Sequence, residues 1–343
     1  MKKVVFPALL TLVCLVITVG FAELAVRFVI DNGTQYDLEM WKYARDVKIV
    51  SADPKIGHEH GANREATLMG VDVKTNSMGA RDREIPFERT PGVLRIAMVG
   101  DSLTMGWGVA IENTFPKRIE RLYADIGKKA EVVDLGVGNW NTVQEVEHFL
   151  TKGYKYNPDI VVLNYSINDA EPTPLHRAPP SWLQRNCYSC VFVMGRLDSV
   201  LRLFSVRREW TDYYLGIFDG GKSKGWLASK AAIKRLADYC KSKNIKLLIA
   251  NLPELHDVQN YRFGSITELV RQAAKDNDVA FVDLLPNVQF QASEDLWVTP
   301  PDPHPNALAH QLYAAGLFSA LQKLEAPANI ELQSGATPAT TVQ

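Results

Sequence analysis

The sequence predicts an α/β fold: a five-stranded parallel sheet covered by helices on both faces. Three observations predict it. Short apolar runs at residues 94–99, 131–135, 159–165, 245–250 and 279–284 read as buried strands. Amphipathic stretches at 114–126, 142–154, 226–243 and 265–276 alternate with them, and a helical stretch at 306–324 follows the last strand. Loops rich in Gly, Asn, Asp and Ser follow the strands. Right-handed crossovers put every strand's carboxyl end on one rim, where open α/β sheets bind ligands.

The elements follow from local sequence. The run 96–99 stops at Gly100, and Asp101, Ser102 and further glycine lead into a helix start. Pro116 suits the first turn of its helix. Ile233, Leu236, Ala237 and Cys240 fall on one helical face, which makes Cys240 a buried apolar residue.

The amino terminus is of another kind. Lys2 and Lys3 precede an uncharged run over 4–22, which as a helix is ~28 Å long, close to a bilayer core. The lysines favour the cytoplasmic side, so the remainder is expected to be exported. Gly20 and Ala22 offer small residues for signal peptidase. The length of the run and the apolar continuation over 25–30 favour an uncleaved anchor: one pass through the inner (cytoplasmic) membrane, with the remaining chain on the extracytoplasmic, periplasmic side. Val13 before Cys14 argues against lipoprotein processing.

Four parts are expected: a signal anchor over 1–30, a lead-in segment over 31–92 packed on the core, a domain over 93–324 with an insertion at 170–225, and a disordered tail over 325–343. In the lead-in, 68–74 alternates as one strand, 76–82 reads as a turn that fixes Arg81, and His58 and His60 read as a solvated loop. The insertion opens with prolines and holds Trp182, Trp210, Tyr213 and Tyr214. It reads as a lid or partner surface, or as a peripheral helical pair over 191–206 packed on the core. In an exported chain, Cys187 and Cys190 read as a local disulfide. His148, His176, His256 and His310 read as surface or structural. The net charge of -1 over 343 residues gives no electrostatic case for nucleic acid.

A serine nucleophile needs a base, and the base needs an orienting partner. Ser102 stands at the end of the first core strand. His304, in Pro300-Pro301-Asp302-Pro303-His304-Pro305, follows the last strand and can reach the same rim. Asp302, or a backbone carbonyl, can accept the imidazole Nδ1 proton. Candidate oxyanion donors are the Ser102 N–H, an N–H near Gly138 or Asn139, and the Asn168 amide. Asp101 and Asp169 read as braces of the nucleophile turn and of the Asn168 loop.

Gly100-Asp101-Ser102-Leu103, the glycine turn at 136–138, Asn168-Asp169 and Asp302/His304 occur in the order seen in the SGNH, or GDSL-type, hydrolase superfamily. The chain resembles that family over roughly 94–324, less the insertion. The resemblance implies a flavodoxin-like three-layer α/β/α fold and a Ser/His/Asp ester hydrolase. Ser102 would be nucleophile, His304 base, Asp302 its partner and Asn168 an oxyanion donor, with no metal or organic cofactor. The sequence departs from the family at three points: Ser166 replaces the glycine that opens the third block, Asn139 fills the second-block donor slot, and only Pro303 separates Asp302 from His304. The expected substrate is an ester, first of all an O-acyl group on a cell-envelope or exopolysaccharide glycan. An O-acyltransferase with the same triad and a non-catalytic envelope assembly or binding module are the alternatives.

Overall fold

The computed structural model describes residues 2–172, 181–204 and 210–326. The elements are α1 (Lys2–Ala25), α2 (Tyr36–Asp46), β1 (Lys48–Val50), β2 (His58–His60), β3 (Glu65–Leu68), β4 (Val71–Lys74), β5 (Leu94–Val99), α3 (Ser102–Met105), α4 (Phe115–Asp125), β6 (Ala130–Asp134), α5 (Thr142–Thr151) and β7 (Ile160–Tyr165). After these come α6 (Trp182–Asn186), α7 (Tyr188–Phe204), α8 (Trp210–Phe218), α9 (Lys224–Ser242), β8 (Lys246–Asn251), α10 (Gly264–Asp276), β9 (Ala280–Asp283), α11 (Leu285–Val288), β10 (Trp297–Thr299), β11 (Asp302–Pro305) and α12 (Ala307–Glu325).

β5 to β9 form one five-stranded sheet in the order β6-β5-β7-β8-β9, and every neighbouring pair is parallel. This is the flavodoxin-like order, and it reverses at β5, between β6 and β7. β5 shows why its sequence is a continuous apolar run. Ala97 and Val99 pack with α5, α9 and α10 on one face, while Ile96 and Met98 pack with α4 and α12 on the other. A strand buried on both faces has no solvent side to alternate with.

The lead-in segment forms a third apolar cluster, in which Tyr43, Val47, Leu68, Met69 and Val73 meet Met105 and Trp107 from the start of the core. The expected single strand over 68–74 is instead part of a hairpin, β3 and β4, turned at Met69 and Gly70. Both turn residues have positive φ, 49° and 74°, the condition for a two-residue turn that matches strand twist. Alternation alone did not reveal that break. His58 and His60 also depart from the expected solvated loop. They lie on β2, and His60 is buried, with its ring bonded to Tyr43 Oη and the Gly79 carbonyl.

α1 is long and apolar enough to cross a membrane, and its most apolar stretch is not buried against the rest of the chain. Cys187 and Cys190 are joined by a disulfide between α6 and α7. The expected helical pair over 191–206 is a single helix, α7. It lies on α2 and the end of α1 rather than on the sheet, with its Gly195 close against the Asp37 side chain of α2. α8 does reach the core, through Phe218 with Tyr214, Leu215 and Ile217 packed against the same cluster. The prolines at 174, 179 and 180, His176, and the tail beyond 326 lie outside the described residues.

Candidate active site

The β5 run ends at Gly100, where a Cβ would stand 2.1 Å from Thr104 Oγ1, so the chain turns here only as glycine. Asp101 caps α3, its Oδ1 accepting the Leu103 N–H at 2.9 Å. Ser102 is thereby held at the carboxyl end of β5, at the point where the sheet order reverses. α3 closes at Gly106, whose φ of 79° turns the chain sharply. Trp107 then folds back, with its N–H bonded to the Ser102 carbonyl at 3.0 Å.

The two distant motifs meet. Ser102 Oγ lies 3.0 Å from His304 Nε2, across 202 residues of sequence. His304 Nδ1 lies 2.5 Å from Asp302 Oδ1. The Asp-Pro-His spacing works because these residues lie on a strand, β11, paired with β10. Side chains two apart on a strand share a face, so Asp302 and His304 point the same way. Asp302 is fully buried. Burial alone would push its carboxyl up. The hydrogen bonds from His304 and from Trp107 Nε1, the latter at 2.8 Å, outweigh it and hold the carboxyl below its ordinary value.

The oxyanion candidates divide. Among the described residues no acceptor takes the Ser102 N–H or the Asn139 N–H. Asn139 has a left-handed φ of 66°, the conformation a glycine would supply, and its side chain is held by Lys48 Nζ at 2.7 Å. Gly138 does not meet the expectation: its N–H donates to Tyr43 Oη at 2.8 Å inside the lead-in contact and is occupied. Asn168 stands near Ser102 through Asp101, donating from Nδ2 to Asp101 Oδ2 at 2.9 Å, while its Oδ1 takes the Ser166 hydroxyl. Serine in place of the family's glycine thus fastens this amide. Asp169 braces the same loop, accepting the Ser166 N–H at 2.7 Å.

Beneath this loop lies a group of buried acids. Glu145, Asp169 and Asp101 are all buried, and burial, then their mutual repulsion, push the Glu145 and Asp169 carboxyls well up. Asp101 is also raised by burial, against the hydrogen bonds of Asn168 and Leu103.

Several residues of the site were not singled out from sequence. Trp107 and Tyr36 flank His304, with ring centroids 6.1 and 6.2 Å away. Burial, then the nearby Asp302 and Asp37, push the Tyr36 phenol up to about 12. Tyr43 ties Gly138, His60 and Met105 together. The only advance signal was a Trp five residues after the serine. Arg81, expected only to be held by its turn in the lead-in segment, reaches further. It is buried and donates to the carbonyls of Met105, Gly106 and Val109, which lock the loop behind Ser102, and to that of Asp72. His310 is buried and His148 half-buried; both are structural and pushed down to about 3, chiefly by desolvation, whereas His256 is exposed beside Glu254.

A nucleophile turn at the switch point of a flavodoxin-like sheet, with serine and histidine in contact, is the layout of a serine hydrolase. The chain belongs to the GDSL-like lipase/acylhydrolase family, whose model matches residues 98–312, well over half of the chain, and it is a serine hydrolase of ester bonds. No curated protein matches it. Among solved structures it is similar to TesA at 12% identity, covering 67% of this chain and 99% of that one, with a TM-score of 0.46. The lipase/acylhydrolase from Enterococcus faecalis gives 13%, 67%, 96% and 0.43. The acetyl xylan esterase AlAXEase gives 17%, 66%, 100% and 0.42. Likenesses at this level do not carry over a substrate.

Proposed function

We propose that the chain is a membrane-anchored, extracytoplasmic serine esterase that removes O-acyl groups from a cell-envelope or extracellular glycan. The observation that carries the chemistry is the relay Ser102 Oγ to His304 Nε2 at 3.0 Å and His304 Nδ1 to Asp302 Oδ1 at 2.5 Å.

His304 takes the Ser102 proton as Oγ attacks the ester carbonyl. Asp302 holds the ring in the tautomer that leaves Nε2 free to accept, and stabilises the imidazolium. The oxyanion takes the Ser102 and Asn139 N–H groups and the second proton of the Asn168 amide; one such donor is worth ~3 kcal/mol. His304 returns the proton to the leaving alcohol, and water releases the acyl group by the same steps in reverse.

The anchor supports the location: α1 emerges from a lysine-flanked start, which favours export of the remainder. The glycan reading is supported by an aromatic row. Trp210 lies 4.4 Å from His256 and His256 lies 5.6 Å from Trp297, between ring centroids, and Trp297 pairs with the strand that carries His304. Trp210 is 40% exposed, a face on which a sugar ring can stack.

The test is trapping with a phosphonate ester on full-length protein in detergent, followed by a screen of acetylated glycans against long-chain acyl esters. An adduct on Ser102, with turnover of the acetylated glycans, is expected. An adduct elsewhere sinks the triad, and turnover of long-chain esters alone sinks the glycan reading.

A further inference from the structure

We infer that α6 and α7 of the insertion form a foot that lies in the interfacial layer of the bilayer that α1 spans. The inference rests on the reading of α1 as an anchor and adds a second membrane contact to it.

The apolar span Val5–Ile30 has 26 residues, ~39 Å as a helix against ~30 Å of hydrocarbon. With Lys2 and Lys3 holding its start at one surface, its last ~6 residues lie in the headgroup layer. The insertion is fastened at this height. Glu23 accepts the N–H groups of Tyr188 and Ser189 at 3.0 and 2.8 Å, capping the amino end of α7. Arg27 pairs with Glu23, donates to the Asn186 carbonyl and covers the Tyr188 ring at 4.5 Å.

α7 has a protein-facing side and an apolar side. Gly195 and Arg196 face the α2 region, Gly195 against Asp37 and Arg196 on Gln35. Val193, Met194 and Leu197 form the other side, at helical spacing, and are 59%, 63% and 46% exposed. Trp182 and Leu183 on α6 are 76% and 57% exposed, and the Cys187–Cys190 disulfide ties that helix to α7. Phe28, at the foot of the anchor itself, is 79% exposed. These side chains extend the bare apolar surface of α1 sideways at the depth where tryptophan and amphipathic helices settle. That continuity, and the polar clasp between α1 and α7, point to lipid as the occupant.

The test uses the full chain with Cys14→Ala, reconstituted in phosphatidylcholine/phosphatidylglycerol vesicles. Single spin labels are placed through Leu183→Cys, Met194→Cys, Leu12→Cys and Asp238→Cys, and accessibility to oxygen and to a water-soluble nickel chelate is read by electron paramagnetic resonance. The melting temperature of each variant checks its fold. Labels at 183 and 194 are expected to favour oxygen over nickel several-fold relative to 238, at a depth of about 5–10 Å below the headgroups. A lipid-like label at 12 with water-like labels at 183 and 194 overturns the foot and leaves the anchor. Labels at 183 and 194 shielded from both reagents mean that protein covers this face, as in a dimer, and also overturn it. A water-like label at 12 overturns the anchor and the foot together.

Discussion

Trp107 holds the Asp302 carboxylate from the side opposite His304, so that both carboxylate oxygens have a donor inside a buried site. Changing Trp107 to Phe keeps most of the packing and removes that donor. A hydrogen bond to a charged group contributes ~1.5–3 kcal/mol, so kcat is expected to fall by roughly tenfold or more. Steady-state kinetics that show kcat unaltered would remove Trp107 from the relay. Ser102→Ala is expected to lower ester turnover by ~10³-fold or more with the fold intact. Turnover that survives the change would place the nucleophile elsewhere. At this scale the sequence was informative where a residue's neighbours in the chain define its chemistry. Asp302 and His304 could be paired because they stand two residues apart, although the strand that turns both to one face was not legible. Gly138 could not be read correctly, because its N–H is taken by a tyrosine 95 positions earlier. No local pattern announces such a partner.

Among the elements, the lead-in segment and the nucleophile turn hold each other. Arg81 fills the carbonyls of Met105, Gly106 and Val109 from one side, and Tyr43 reaches Gly138 from the other. Tyr43→Phe leaves the buried Gly138 N–H without its acceptor, a loss of about 1–3 kcal/mol. A lower melting temperature is expected, together with a larger fall in kcat than in KM as the Asn139 donor shifts. Unchanged melting would mean that the hydroxyl is dispensable. The strands of the sheet and their helices were legible from sequence, since burial on two faces or on one stripe writes itself into the apolar spacing. The β3–β4 turn was not. Met69 adopts a positive φ while its side chain joins an apolar cluster, so packing overrides the local preference for glycine or asparagine.

For the molecule as a whole, the buried acids under the active-site rim couple stability to pH. Glu145 and Asp169 both have carboxyls raised in the fold by burial and by each other, with Asp101 adding to the repulsion. A raised folded value means that their contribution is fully present below the ordinary carboxyl range and is lost as pH climbs through the folded titration. Glu145→Gln cannot ionise, so its melting temperature should fall less than the parent's between acid and neutral pH. Parallel melting curves for the two proteins across that range would show that Glu145 carries no such linkage.

The Tyr36 ring beside His304 has a practical corollary. Family similarity begins at residue 98, and the obvious soluble fragment would start near there. Such a fragment would discard one wall of the reaction chamber along with the arginine that pins its floor. Poor hydrolysis by that fragment would measure the missing masonry, and would say nothing about whether the intact enzyme is active.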